Sequence, residues 1–224
     1  MGPGISAVLG FAVGIAVSPI PIIAVILMLF SQNARVNGPV FLLGWVAALA
    51  TVGGVAYALA DQADASTSST TTDTIAWGKL VFGLLLLWLA LRTWRKRPAP
   101  GTEAELPKWM AGIDGFTPGK ALGLGALLAG VNPKNLMLTL AAGTTLAGLG
   151  LSPGAAIGAL VVFVILASLS IGAPVGYYLL GGASAKDHLT GLKNWLGVHN
   201  DAVMTVLLLV LGVDLIAKGL PPLT

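Results

Sequence analysis

The chain has 224 residues, 56% of them hydrophobic and 9% charged, with a formal net charge of +3 and a mean hydropathy of +0.89. That leaves too little polar surface for a soluble domain, so the composition indicates an integral membrane protein. It excludes cysteine chemistry, because there is no cysteine, and it argues against nucleic acid, because the basic residues gather in one loop rather than in a patch interleaved with aromatics.

The first apolar run lacks a positive leader and outlasts the hydrophobic region of a signal peptide, so it reads as a retained helix, about Ile5 to Phe30. Ser18-Pro19-Ile20-Pro21 sits at its centre. Two prolines there remove two backbone donors and crowd the preceding turn, which predicts a kink or break. After a polar turn over Ser31 to Asn37, helix two is expected from Gly38 to Ala60, with Gly44, Gly53 and Gly54 suited to close helix packing. A solvated loop follows, Asp61 to Asp73, rich in serine and threonine. Helix three is expected from Ile75 to Trp94. Trp77 and Trp94 lie about 26 Å apart along a helix, which suits the two rims of a bilayer core.

Arg92 to Lys120 is the only long polar stretch and opens with Arg92, Arg95, Lys96 and Arg97. Within it, residues Leu106 to Ile113 could form a short interfacial helix with Trp109, Met110 and Ile113 in lipid, or a plain solvated connector. Helix four, Lys120 to Ala147, carries Asn132-Pro133-Lys134-Asn135 in its middle. A lysine, two amides and a proline at that depth are costly in a bilayer and mark a functional site. Helix five is expected from Pro153 to Leu180, interrupted at Gly172-Ala173-Pro174, and a polar connector from Gly181 to Asn200 leads to helix six, Asp201 to Lys218. His188 and His199 in that connector are too few for a metal site.

Nine basic residues (Arg35, Arg92, Arg95, Lys96, Arg97, Lys108, Lys120, Lys186 and Lys193) fall on one side of this topology and only Lys79 and Lys218 on the other. The positive-inside rule then puts both termini outside the cytoplasmic membrane. A shift of 114 residues lays Ser18-Pro19-Ile20-Pro21 over Asn132-Pro133-Lys134-Asn135, Pro39 over Pro153 and Gly44 over Gly158. The predicted fold is therefore all-α and integral to the membrane: a single domain with six transmembrane helices as two inverted three-helix repeats (5–95 and 120–219, joined by a cytoplasmic linker, 96–119) and proline-broken helices one and four. Inverted repeats with discontinuous helices are typical of secondary transporters.

Asn132-Pro133-Lys134 after a small-residue helix, paired with a proline motif in helix one, resembles the lysine-exporter superfamily. The pattern Leu106-Pro107-Lys108-Trp109-Met110, Asp114, Pro118, Ala121-Leu122-Gly123-Leu124 and Asn132-Pro133-Lys134-Asn135-Leu136 is similar to its actinobacterial GAP, or sulfolipid-addressing protein, branch. The resemblance implies translocation of an anionic envelope lipid or glycolipid across the bacterial cytoplasmic membrane, often beside a larger lipid exporter. Amino acids and ions are cargo of other branches, and Ser18-Pro19-Ile20-Pro21 departs from the proline-glycine-proline type motif of the amino-acid exporters.

The candidate substrate-binding residues are Ser18, Pro19, Pro21, Asn132, Pro133, Lys134 and Asn135. Lys134, the amides and the Ser18 hydroxyl would gather around an anionic headgroup, helped by half-helix N-termini. The alternative is structural: Lys134 snorkels or pairs with Asp214, and the asparagines cap broken helix ends. Asp214, the only acid well inside a predicted helix, is either a proton carrier during alternating access or one member of an i,i+4 pair with Lys218. No catalytic set and no cofactor are expected, so an enzyme is a poor reading. A non-transporting accessory of a larger exporter is the better rival. Small-residue faces such as Gly10 with Gly14 and Gly154 with Gly158 suit either a homodimer or packing within the chain.

Overall fold

The computed structural model of the protein describes residues 1–66, 71–96 and 108–220. The segments 67–70, 97–107 and 221–224 lie outside the described residues. So do the side chains of Trp77 and Lys218, and with them the rim role of Trp77 and the Asp214–Lys218 pair.

Every described element is helical: α1 (Gly2–Ala16), α2 (Pro19–Leu29), α3 (Ala34–Ser66), α4 (Thr71–Lys96), a 3-10 segment (Lys108–Gly115), α5 (Pro118–Gly130), α6 (Pro133–Ala147) and α7 (Pro153–Gly219). Both proline motifs break the chain as their chemistry requires. α1 stops at Ala16 and α2 starts at Pro19 after Ser18 adopts an extended conformation, with a bend of 56° between the two helices. α5 stops at Gly130 and α6 starts at Pro133. In each case proline occupies the first helical position, where its missing N–H is no loss.

Among the described residues, three helical stretches are long and apolar enough to cross a membrane, Ala34–Gln62, Pro153–Gly181 and Ser184–Ala217, and a fourth span arises if the bent pair α1–α2 counts as one. The outward face agrees. Ile157, Val161, Ile165 and Leu169 form an exposed apolar stripe on α7, while Ala159, Phe163 and Ala167 fill its inner face. A helix apolar on both faces belongs in lipid. The protein is a multi-pass helical membrane protein.

Several expectations are corrected. The connector from Gly181 to Asn200 is helical throughout, and α7 also continues through Pro174. A straight helix of that length would run roughly 100 Å, over twice the thickness of a bilayer. It bends instead: the Tyr177 hydroxyl lies 2.7 Å from Nδ1 of His188, whereas residues eleven apart on a straight helix are about 16 Å apart, beyond the reach of the two side chains. Helix continues here because only one polar turn is needed, and helical backbone satisfies itself without water. Within the stretch Asp61 to Asp73 expected as loop, α3 runs to Ser66 and α4 begins at Thr71. The segment around Trp109 is not a lipid-dipping amphipath. Met110 and Ile113 are buried in the protein, in a segment that packs beside α2, and of the three residues expected in lipid Trp109 alone is exposed.

The chain forms two compact units. The first comprises Met1–Asp61 with Glu105–Gly197 and the second Gln62–Ala104 with Val198–Thr224. In the first, α3 crosses α5 with backbone against backbone. A Cβ on Gly44 would collide with the Leu122 carbonyl oxygen, and one on Gly125 with that of Phe41. Gly143 permits a similar approach of α6 to Gly53 and Tyr57 on α3. Such contacts are how helices associate where no hydrophobic effect drives them. In the second unit, α4 meets the end of α7 at Gly83 and Gly212, each within contact distance of the other's backbone.

Candidate functional site

Breaking a helix leaves carbonyls at one end and amides at the other without partners, and the residues of the two breaks in the first unit satisfy one another. At the end of α1, the Gly14 carbonyl accepts a hydrogen bond of 2.6 Å from Nζ of Lys134, which reaches across from α6. The same ammonium donates to the Ser18 hydroxyl at 2.5 Å. Ser18 in turn donates to Oδ1 of Asn135 at 3.2 Å, and Nδ2 of Asn135 donates to the Leu128 carbonyl at 2.9 Å. Asn132 caps α6 by accepting from the Lys134 backbone N–H at 3.2 Å. Thr139, one turn along α6, bonds back to the Asn135 carbonyl.

The lysine, serine and Asn135 thus form one chain of polar contacts joining the two breaks. Ser18, Lys134 and Asn135 are 3%, 6% and 0% exposed, respectively, so the network is sealed from its surroundings. Both partners of the ammonium are neutral oxygens. It sits at the C-terminal end of α1, where the helix dipole favours a cation, and no carboxylate among the described residues is bonded to it. Asp214 is a half-buried residue of the second unit.

Helix N-termini contribute less than expected. Pro19 and Pro21 remove two donors from the first turn of α2, Pro133 removes one from α6, and Asn132 occupies the next. Any attraction for an anion therefore rests on Lys134. The break also lies at the right depth. Gly130 packs against Ala48 and Val52, and residue 48 is the midpoint of the span Ala34–Gln62. Toward the outside, Asn132 is half-buried and Val131 and Pro133 are exposed, so the rim of the break is reached past Asn132.

Of the residues expected at the site, Ser18, Asn132, Lys134 and Asn135 come together through hydrogen bonds, while Pro19, Pro21 and Pro133 shape the breaks. Two partners were not foreseen, the backbone carbonyls of Gly14 and Leu128. A signal for them exists in the sequence: each lies five residues before the first proline of its motif, and 114 residues separate them, the same offset that relates the motifs. The small-residue pairs proposed for a dimer pack within the chain at their inner members. Gly14 is buried and bonded to Lys134, and Gly158 lies against Met1, whereas Gly10 and Gly154 face open space.

No curated protein and no solved structure matches the chain. A family model described as Sap, sulfolipid-1-addressing protein, matches residues 8–221. Both proline breaks and every residue of the Lys134 network fall inside that match, which covers nearly the whole chain, and the protein belongs to the sulfolipid-1-addressing protein family.

Proposed function

We propose that the protein is a secondary transporter of the lysine-exporter type that moves an anionic envelope lipid or glycolipid across the bacterial cytoplasmic membrane by alternating access. The family's description points to a sulfolipid and so to an anionic, sulfate-bearing headgroup. Six spans in two inverted repeats fit the element order, with α1–α2, α3 and α4 in one half and α5–α6 and the two long stretches of α7 in the other. The observation that carries the reading is Lys134, a buried ammonium held only by neutral oxygens at the junction of two broken helices. A charge in such a place is expensive unless it serves a passing counter-charge. In this reading Lys134 exchanges Gly14 and Ser18 for the headgroup, and Asn132 at the half-buried rim meets it first.

The test uses the purified full chain in liposomes containing fluorescent phosphatidylglycerol, with fluorescent phosphatidylcholine as the uncharged-net comparison. The native chain moves the anionic lipid between leaflets, and Lys134→Met reduces that movement roughly tenfold or more, the loss of about one charge-assisted hydrogen bond. Unchanged movement removes the headgroup role. A second reading, a non-transporting accessory of a larger lipid exporter, is favoured by the network's bonds from one break to the other, which suit a staple. It predicts no lipid movement by the native chain alone. Proton coupling through Asp214 rests on its position in the sequence and is tested separately below.

A further inference from the structure

The face of the first unit that leads to the break is not filled. A shallow groove of ≈ 380 Å³ runs between α3 and α5, walled by Ala47, Thr51 and Val52 on one side and Leu122, Ala126 and Val131 on the other. Its origin is the close crossing of the two helices. Gly44 and Gly125 let the backbones touch, and the small side chains that flank them cannot fill the valley left outside the contact line. Gly130, against Ala48 and Val52, closes the floor at the end nearest the break. Apart from the Thr51 hydroxyl, the walls are apolar.

Two features say what belongs in it. The groove spans residues 44–52 of α3, the centre of the span Ala34–Gln62, so its surroundings in a membrane are acyl chains rather than water or headgroups. Its far end is Val131, the residue next to Asn132, and from Leu122 it follows α5 for about 14 Å. It therefore runs through hydrocarbon and ends at the half-buried polar rim of the Lys134 network. That is the outline of an amphiphile, with an extended apolar limb joined to one polar end.

We propose that the α3–α5 groove seats an acyl chain of the lipid whose anionic headgroup enters at Asn132 and Lys134, a reading that rests on the headgroup role given to Lys134 above. A groove in lipid gains nothing from the hydrophobic effect, because the chain leaves an equally apolar medium. What it supplies is shape: a chain lying in the valley holds its headgroup at the level of the break while the polar network opens. The outward stripe Ile157, Val161, Ile165 and Leu169 on α7 has equally apolar residues but adjoins no polar break within its length, and so serves as an internal comparison.

The test is photolabelling of the full chain in phosphatidylcholine liposomes doped with phosphatidylglycerol that carries a diazirine in its acyl chain, with the matching phosphatidylcholine probe run in parallel. Labelled residues are read by peptide mass spectrometry. The expected pattern is labelling at 44–52 and 122–131 in excess of the α7 stripe by roughly threefold, the scale of one favourable interaction inside a bilayer. Thr51→Trp, which fills the groove from an exposed position, brings that excess down to the level of the stripe, and Ile157→Trp leaves it in place. Even labelling of both faces overturns the proposal, as does an excess that survives Thr51→Trp. Crosslinks joining these faces of two copies, with no lipid label between them, also overturn it and make the groove a helix–helix contact. Labelling of the groove by both probes equally, unaltered in Lys134→Met, upholds the acyl seat while removing the headgroup reading.

Discussion

Replacing Asn135 by aspartate would give Lys134 the counter-charge that its site lacks. The side chains are nearly the same size, so packing around a residue with no exposed surface is kept. A carboxylate oxygen in the place of Oδ1 still accepts from Ser18, and through it lies within two hydrogen bonds, 2.5 and 3.2 Å, of the ammonium. At a separation of ~5 Å and an effective dielectric constant of ~20, the attraction between the two charges is about 3 kcal/mol. An incoming anionic headgroup at Lys134 meets a repulsion of similar size from the new carboxylate. Since 1.4 kcal/mol is a factor of ten, anionic-lipid affinity should fall about 100-fold, and zwitterionic lipid should be affected far less. There is a structural cost as well, because the lost Nδ2 donor leaves the Leu128 carbonyl facing another acceptor, worth about 1–3 kcal/mol. The internal ion pair offsets it, so the fold should survive with a small change in Tm. Native mass spectrometry of the purified chain with phosphatidylglycerol and phosphatidylcholine reads the two affinities side by side, and detergent unfolding reads the fold. A variant that folds and keeps the native preference for the anionic lipid would refute the idea that Lys134 is the headgroup's counter-charge.

Two neighbouring glycines of α5 should respond in opposite ways to the same methyl group. Gly125→Ala drives a Cβ into the Phe41 carbonyl and the Trp45 amide on α3, so it should cost about 1–3 kcal/mol and lower the Tm, whereas Gly123→Ala meets nothing within 4 Å and should gain up to ~1 kcal/mol from helix propensity. Thermal unfolding in detergent checks both, and equal effects would show that the α3–α5 crossing is looser than drawn. Asp214→Asn should abolish the pH dependence of lipid movement in liposomes if that residue carries the coupling proton. Retained pH dependence dismisses the role.

What the sequence made legible was chemistry that acts locally. Pro19 and Pro133 mark where new helices start, each at the first helical position behind a polar residue, Ser18 or Asn132, whereas the single Pro174 is carried inside α7. Lys134 is conspicuous as well: a charge in an apolar run needs an explanation before any fold is known. The partners of that lysine and of Asn135 were legible only in part. Ser18 was anticipated through the 114-residue offset, but the Gly14 and Leu128 carbonyls belong to the backbone, and only their common spacing from the two proline motifs marks them. Polar composition misled at Gly181 to Asn200, where lysines, histidines and an aspartate suggested a connector and the chain stays helical. Such residues tolerate a helix that bends out of the membrane as well as they tolerate a loop. Met110 and Ile113 misled in the other direction. Their spacing suits a lipid-facing surface, yet apolar spacing cannot say whether lipid or α2 covers it.

In the proposed transporter the readings of Lys134 as staple and as site would not compete, because the same bonds would serve both states of the carrier. In the structure the ammonium occupies the Gly14 carbonyl and the Ser18 hydroxyl, and those two atoms belong to the half of the chain opposite Lys134 in sequence. Separating the two breaks therefore releases the lysine and the end of α1 together. A freed ammonium at mid-depth with no replacement costs several kcal/mol, so the open arrangement is disfavoured until an anion arrives to take the place of the lost oxygens. The empty carrier would then stay shut and the loaded one could move. The asymmetry between the breaks supports this economy: Ile20 stands where the 114-residue offset would put a second lysine, so one charge admits one headgroup and no repulsion between paired cations has to be overcome on closing.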